Sequence, residues 1–154
     1  MQHTDEYWMQ QALELAHKAE QQDEVPVGAV IVKDNQIIAT GWNQPIQNSD
    51  PSAHAELTAM RKAGQALNNY RLIDTTLYVT LEPCSMCVGA MVHARVNRLV
   101  FGAYDMRTGA AGSAINLIGD SFHNHKVEVQ GGVMEEECKS ILQSFFRRRR
   151  ASGK

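Results

Sequence analysis

The stretch Thr80-Leu81-Glu82-Pro83-Cys84-Ser85-Met86-Cys87 most limits what this chain can fold into. The residues before it, Thr75 to Leu81, are rich in β-branched and apolar side chains, which predicts a buried strand. Cys84 and Cys87 stand at i and i+3, so on one helical turn both sulfurs face the same way. Pro83 suits the first turn of a helix, where its missing N–H costs nothing. A strand is therefore expected to end, and a helix to begin, at the two cysteines. A helix N-terminus is electropositive and favours the thiolate form that a metal needs.

Two thiolates do not complete a metal site, and His54 is the best further donor. It follows Asp50-Pro51-Ser52, a cap-and-proline signal for a helix start. In mid-helix His54 and Glu56 would point about 200° apart. They converge only near a helix N-terminus, where side chains lean back past the end. Three protein ligands beside an unbound carboxylate is the pattern of a catalytic zinc with water in the fourth position, whereas a structural zinc closes with a fourth protein ligand. His54, Cys84 and Cys87 are the expected ligands of one Zn2+, with Glu56 catalytic. H-x-E followed by P-C-x-x-C is also a recognised signature of zinc-dependent nucleobase deaminases.

The length of 154 residues fits one domain, 1–154, able to bury a real core. No apolar run approaches the roughly 18 residues of a membrane helix. Met1 to Tyr7 carries acids and no lysine or arginine, so no targeting signal is expected there. Three cysteines, two of them in C-x-x-C, argue against a disulfide framework and for the cytoplasm. Cys138 is expected in the core. The formal charge of −2 is unevenly spread: residues 1–24 carry six acids against Lys18, and residues 139–154 carry six basic residues and no acid. The run Arg147, Arg148, Arg149 and Arg150 reads either as a helix end that favours cations or as a phosphate-binding tail.

In chain order, Thr4 to Gln21 predicts an amphipathic helix with Trp8, Ala12, Leu15, Ala16 and Ala19 on its apolar stripe. Val27 to Val32 and Gln36 to Trp42 predict two strands joined by a Lys33-Asp34-Asn35 turn. Gly28 suggests close approach of another backbone or a ligand. Asn43, at the second strand's end, reads as a base-contacting group or as a turn residue bonding locally. An irregular stretch, Gln44 to Ser49, follows. Ser52 to Leu67 predicts a helix, Ser85 to His93 the cysteine helix, and Asn97 to Gly102 a strand. Ala103 to Ser113 is a small-residue loop, longer than most connections, which hints at function. Ala114 to Ile118 predicts a short helix, His123-Asn124-His125 a surface loop, and Lys126 to Gln130 a strand. Met134 to Arg150 predicts a basic C-terminal helix, residues 134–150, with Ile141, Leu142, Phe145 and Phe146 on its apolar face. The expected fold is α/β, with helices on both faces of a mixed sheet and the site at strand C-terminal ends.

The chain resembles the bacterial tRNA-specific adenosine deaminases of the cytidine deaminase-like superfamily. The residues that carry the resemblance span nearly the whole sequence: Glu24 to Val30, Gly41-Trp42-Asn43, Asp50-Pro51, His54-Ala55-Glu56, Tyr70-Arg71-Leu72, Leu81 to Cys87, Gly89-Ala90-Met91, Val100 to Ala103, Asp105, Thr108 to Ser113, and Phe145-Phe146-Arg147. The resemblance implies a three-layer α/β/α fold on a five-stranded sheet, a homodimer, and conversion of the wobble adenosine of a tRNA anticodon stem-loop to inosine. It implies that Asn43 contacts the base and that Asp105 lies near the nucleotide backbone. Val25, Pro26 and Leu81 are expected to form the pocket's apolar walls. Leu81 and Tyr104 fall where some relatives carry an aromatic and an arginine or another polar residue.

Three other readings compete with this one. A deaminase of free nucleobases or nucleosides would share the zinc set but would not need a basic C-terminal helix. A noncatalytic zinc module for nucleic acid would have no use for Glu56. A C-x-x-C redox protein would leave His54 and Glu56 without a role.

Overall fold

The computed structural model describes residues 2–119 and 125–153. Among these residues ten elements follow in order: α1 (Asp5–Gln21), β1 (Gly28–Lys33), β2 (Gln36–Trp42), α2 (Pro45–Asn48), α3 (Ala55–Leu67), β3 (Thr76–Leu81), α4 (Ser85–Ala94), β4 (Arg98–Ala103), β5 (Glu128–Gln130) and α5 (Glu135–Ala151). The five strands form one sheet in the order β2-β1-β3-β4-β5. β1 pairs antiparallel with β2 and β3, while β3–β4 and β4–β5 are parallel, so the sheet is mixed as expected.

α1 begins at an N-cap, where the Thr4 hydroxyl accepts from Tyr7 N at 3.1 Å. Its stripe of Trp8, Met9, Ala12, Leu13, Ala16 and Ala19 is buried. Together with α5 it covers one face of the sheet, and α3 covers the other and meets α4. Two glycines set the layer spacing. A Cβ on Gly28 would lie 2.1 Å from Ala12 O of α1, and one on Gly41 would lie 2.3 Å from Ala55 O of α3. The close approach expected at Gly28 is therefore that of a backbone. The core fills with Met9, Ile31, Leu77, Met91, Leu99 and Phe101. Cys138 is buried there, against Gly102.

Several boundaries differ from the sequence reading. Pro51 lies in a turn and α3 starts only at Ala55; Pro83 likewise precedes the N-cap of α4. The reason is that His54 and Cys84 are themselves the N-caps, in extended conformation, so the two prolines sit outside the helices. Residues 44–49 contain the short helix α2. Ala114 to Ile118 is not a helix; its backbone folds back through an Ala111–Asn116 bridge. The last strand is Glu128–Gln130 only. Gly89 has nothing within 4 Å of where a Cβ would sit, so it faces open space. His123 and Asn124 lie outside the described residues, whereas His125 is half-buried with Nε2 2.7 Å from Val96 O.

Candidate metal centre and nucleotide cleft

Two helix N-termini meet at one point. His54 caps α3 and Cys84 caps α4, with Cys87 in the first turn of α4. His54 Nδ1 lies 3.6 Å from Cys84 Sγ and 3.6 Å from Cys87 Sγ. The three donor atoms all lie within 4.8 Å of one another. Zinc–sulfur bonds of about 2.3 Å and zinc–nitrogen bonds of about 2.0–2.1 Å at a tetrahedral angle put sulfur and nitrogen about 3.6 Å apart. The donor set thus fits a zinc ion in chemistry and in spacing.

Electrostatics divides the two sulfurs, favouring the thiolate at Cys84 and the thiol at Cys87. The Cys87 thiol, hydrogen-bonded to Cys84, holds the Cys84 thiol down to about 4, with help from His54. Cys87 is held well above its ordinary value by the same hydrogen bond and by burial. The Cys84 thiolate raises His54. Glu56, only 4 % exposed, is pushed up to about 7 by burial. It touches Cys87 and stands one residue inside α3, beside the three donors. A buried carboxyl poised near neutrality can take and return a proton.

Asn43 does more than either sequence reading allowed. Its Oδ1 accepts from Ala55 N at 2.9 Å, so the end of β2 caps the helix that carries His54 and Glu56. Its amide NH2 is left to donate elsewhere.

A cleft of about 770 Å³ opens at the C-terminal ends of β3 and β4, where Leu81 and Ala103 line it. Val25, Leu81 and Asp105 line it, as do Arg147 and Arg150 of α5 with Phe146 and Lys139. The triad does not line it; Leu81, three residues before Cys84, is the link. Pro26 is buried and is not among the lining residues. The Asp105 carboxylate is occupied by its own turn, accepting from Arg107 N, Thr108 N and the Thr108 hydroxyl at 2.9–3.1 Å. The arginine run splits by helical phase. Arg148 pairs with Glu20, and Arg149 donates to Asp23 O at 2.9 Å and lies over the Phe145 ring, so both face α1 and not the cleft. Phe146 is turned from the core into the cleft.

Sequence reasoning missed two buried carboxylates. Glu24 is 1 % exposed and accepts from Ile46 N and Gln47 N, pinning the start of α2. Glu82 is 2 % exposed and is bound by the 105–113 loop. The one signal for Glu82 was its place between a buried strand and the first cysteine.

Residues 2–103 match the family model of the cytidine and deoxycytidylate deaminase zinc-binding region. A tRNA-specific adenosine deaminase of Haemophilus influenzae is 54 % identical over 97 % of this chain and 87 % of its own length. The chain belongs to the family of tRNA-specific adenosine deaminases. It is a zinc-binding deaminase. A solved structure from work on A-to-I editing by tRNA:A34 deaminases at the wobble position of transfer RNA superposes with a TM-score of 0.86, at 41 % identity, covering 88 % of this chain and 99 % of that one. A guanine deaminase of Bacillus subtilis superposes at a TM-score of 0.64 and 42 % identity, covering 66 % of each chain. Among the described residues of this tRNA-specific adenosine deaminase family member, no helix is long and apolar enough to cross a membrane.

Proposed function

We propose that this protein hydrolyses adenosine to inosine at the wobble position of a tRNA anticodon, releasing ammonia. The observation that carries the reading is the buried Glu56 beside the three-donor centre of His54, Cys84 and Cys87. The tRNA:A34 deaminase similarity over 88 % of the chain selects adenine in tRNA. Arg147 and Arg150 on the cleft favour RNA over a free nucleobase, since clustered cations attract a phosphate backbone.

His54, Cys84 and Cys87 would hold the zinc. Bound there, zinc supplies a Lewis acid and makes water nucleophilic at neutral pH. Glu56 takes a proton from the attacking water and gives it to the ring nitrogen beside the reacting carbon. The oxygen bonds to the carbon that bears the amino group. Glu56 then carries the second proton to that amino group, the C–N bond breaks, and ammonia leaves. The reacting carbon is out of reach in a stacked helix, so the base is splayed from a loop. The Asn43 amide NH2 donates to the base, and Val25 and Leu81 flank it. Asp105 shapes the turn that meets the nucleotide backbone, and Arg147 and Arg150 contact phosphates.

The protein acts in the cytoplasm as a homodimer. The face between α3 and α4, lined by Leu57, Met60, Tyr70, Ala90 and His93, is where a second copy would dock; Tyr70 there is 67 % exposed. Sequencing tRNA from cells depleted of the protein tests the function. Wobble inosine should fall to adenosine; unchanged inosine in every tRNA would contradict it.

A further inference from the structure

Glu82 sits between Leu81, a wall of the cleft, and the turn that carries Cys84. A carboxylate leaves water only where its oxygens find other donors. Both oxygens find them in one segment. Oε1 accepts from Asp105 N at 3.0 Å and from the Ser113 hydroxyl. Oε2 accepts from Ala111 N at 3.0 Å and Ser113 N at 3.1 Å. Two backbone bonds flank them, from Glu82 N to Ala103 O at 2.9 Å and from Ala110 N to Pro83 O at 2.8 Å. Gly109 admits the carboxylate: a Cβ there would lie 2.4 Å from Glu82 Cδ and 2.4 Å from Asp105 O. No salt bridge involves Glu82 among the described residues, so its charge is met by the loop's own donors. Bonds from N–H groups to a carboxylate are about twice as strong as neutral ones. The same loop supplies Asp105, Met106, Arg107 and Thr108 to the cleft.

We propose that Glu82 is a positioning residue, a clamp that ties the 105–113 loop to the strand end leading into the Cys84 turn and so holds the nucleotide-facing wall at a fixed distance from the metal centre. What the cleft holds rests on the tRNA deaminase reading; the clamp itself does not. Glu82→Gln keeps the size of the side chain but turns an NH2 group toward two of the four donors. The test compares zinc-loaded wild type and Glu82→Gln by trypsin cleavage after Arg107, zinc content, and KM and kcat on an adenosine anticodon stem-loop. Cleavage should accelerate about 10-fold or more, the scale of one buried N–H left unpaired. KM should rise while kcat stays within about 3-fold, the mark of lost binding and not lost chemistry. Zinc content should not change. Should Glu82→Gln fail to fold, Ser113→Ala removes one donor and should move cleavage and KM the same way by less. If wild type leaves the stem-loop unchanged, the proposed function fails and the trypsin comparison alone decides the clamp. Cleavage at the wild-type rate, or a loss carried by zinc or kcat at constant KM, overturns it.

Discussion

Asn43 Oδ1 accepts the backbone N–H of Ala55 at 2.9 Å, so a residue at the end of β2 fixes where α3 begins. That start sets the positions of His54 and Glu56, which flank Ala55. Asn43→Ala should cost about 1 kcal/mol of stability, the usual net worth of one hydrogen bond. Asn43→Asp keeps the accepting oxygen and loses the NH2 group. It should restore the melting temperature without restoring turnover. Recovery of both would remove Asn43 from base recognition.

Glu56→Ala should retain zinc and fold while turnover falls by about 10²-fold or more, the scale of general acid–base catalysis. Cys87→Ala should lose zinc, as read by metal analysis of the purified protein. Zinc loss from Glu56→Ala would make Glu56 a ligand, and full occupancy in Cys87→Ala would remove Cys87 from the set.

The gathering of His54, Cys84 and Cys87 was legible because metal-binding chemistry restricts residue type and spacing so tightly. Where the helices begin was not, because proline at N1 and proline outside a cap read alike, and only the structure shows that His54 and Cys84 are the caps. The five strands and the helices on both faces followed from apolar runs, turn signals and, for the helices, apolar stripes. Glu24 and Glu82 stayed hidden because a carboxylate is buried only by donors distant in sequence, at 46–47 and at 105–113. The arginine run left two readings open because its division is a matter of helix phase against α1.

That division makes a prediction. Replacing Arg147 and Arg150 with Gln should weaken stem-loop binding and flatten its salt slope by roughly 0.7–0.9 per lost phosphate contact. Replacing Arg148 and Arg149 should lower the melting temperature and leave the slope nearly unchanged. Titrations at several salt concentrations separate the pairs, and equal slopes for both double variants would undo the assignment.

Asp5 receives Arg98 Nη1 and Nη2, each at 2.8 Å, and the Tyr78 hydroxyl at 2.8 Å. Bonding to the Arg98 guanidinium holds its carboxyl below the ordinary value, against the pull of burial. A lowered folded-state value means the contribution is complete above the unfolded value, near 4, and fades as pH falls through the folded one. For a pair this exposed it is about 1 kcal/mol or less. Asp5→Asn should therefore be less stable than wild type at neutral pH, with the gap closing below about pH 4. A gap that persists unchanged into acid would contradict the ion pair as its source.

The reaction is measured most directly by product analysis on three substrates given to the purified zinc-loaded protein. They are an anticodon stem-loop with adenosine at the wobble position, the same loop with cytidine there, and free adenosine. Inosine should form in the first alone, with ammonia released in equal amount. Faster turnover of the cytidine loop, or of the free nucleoside, would contradict the account.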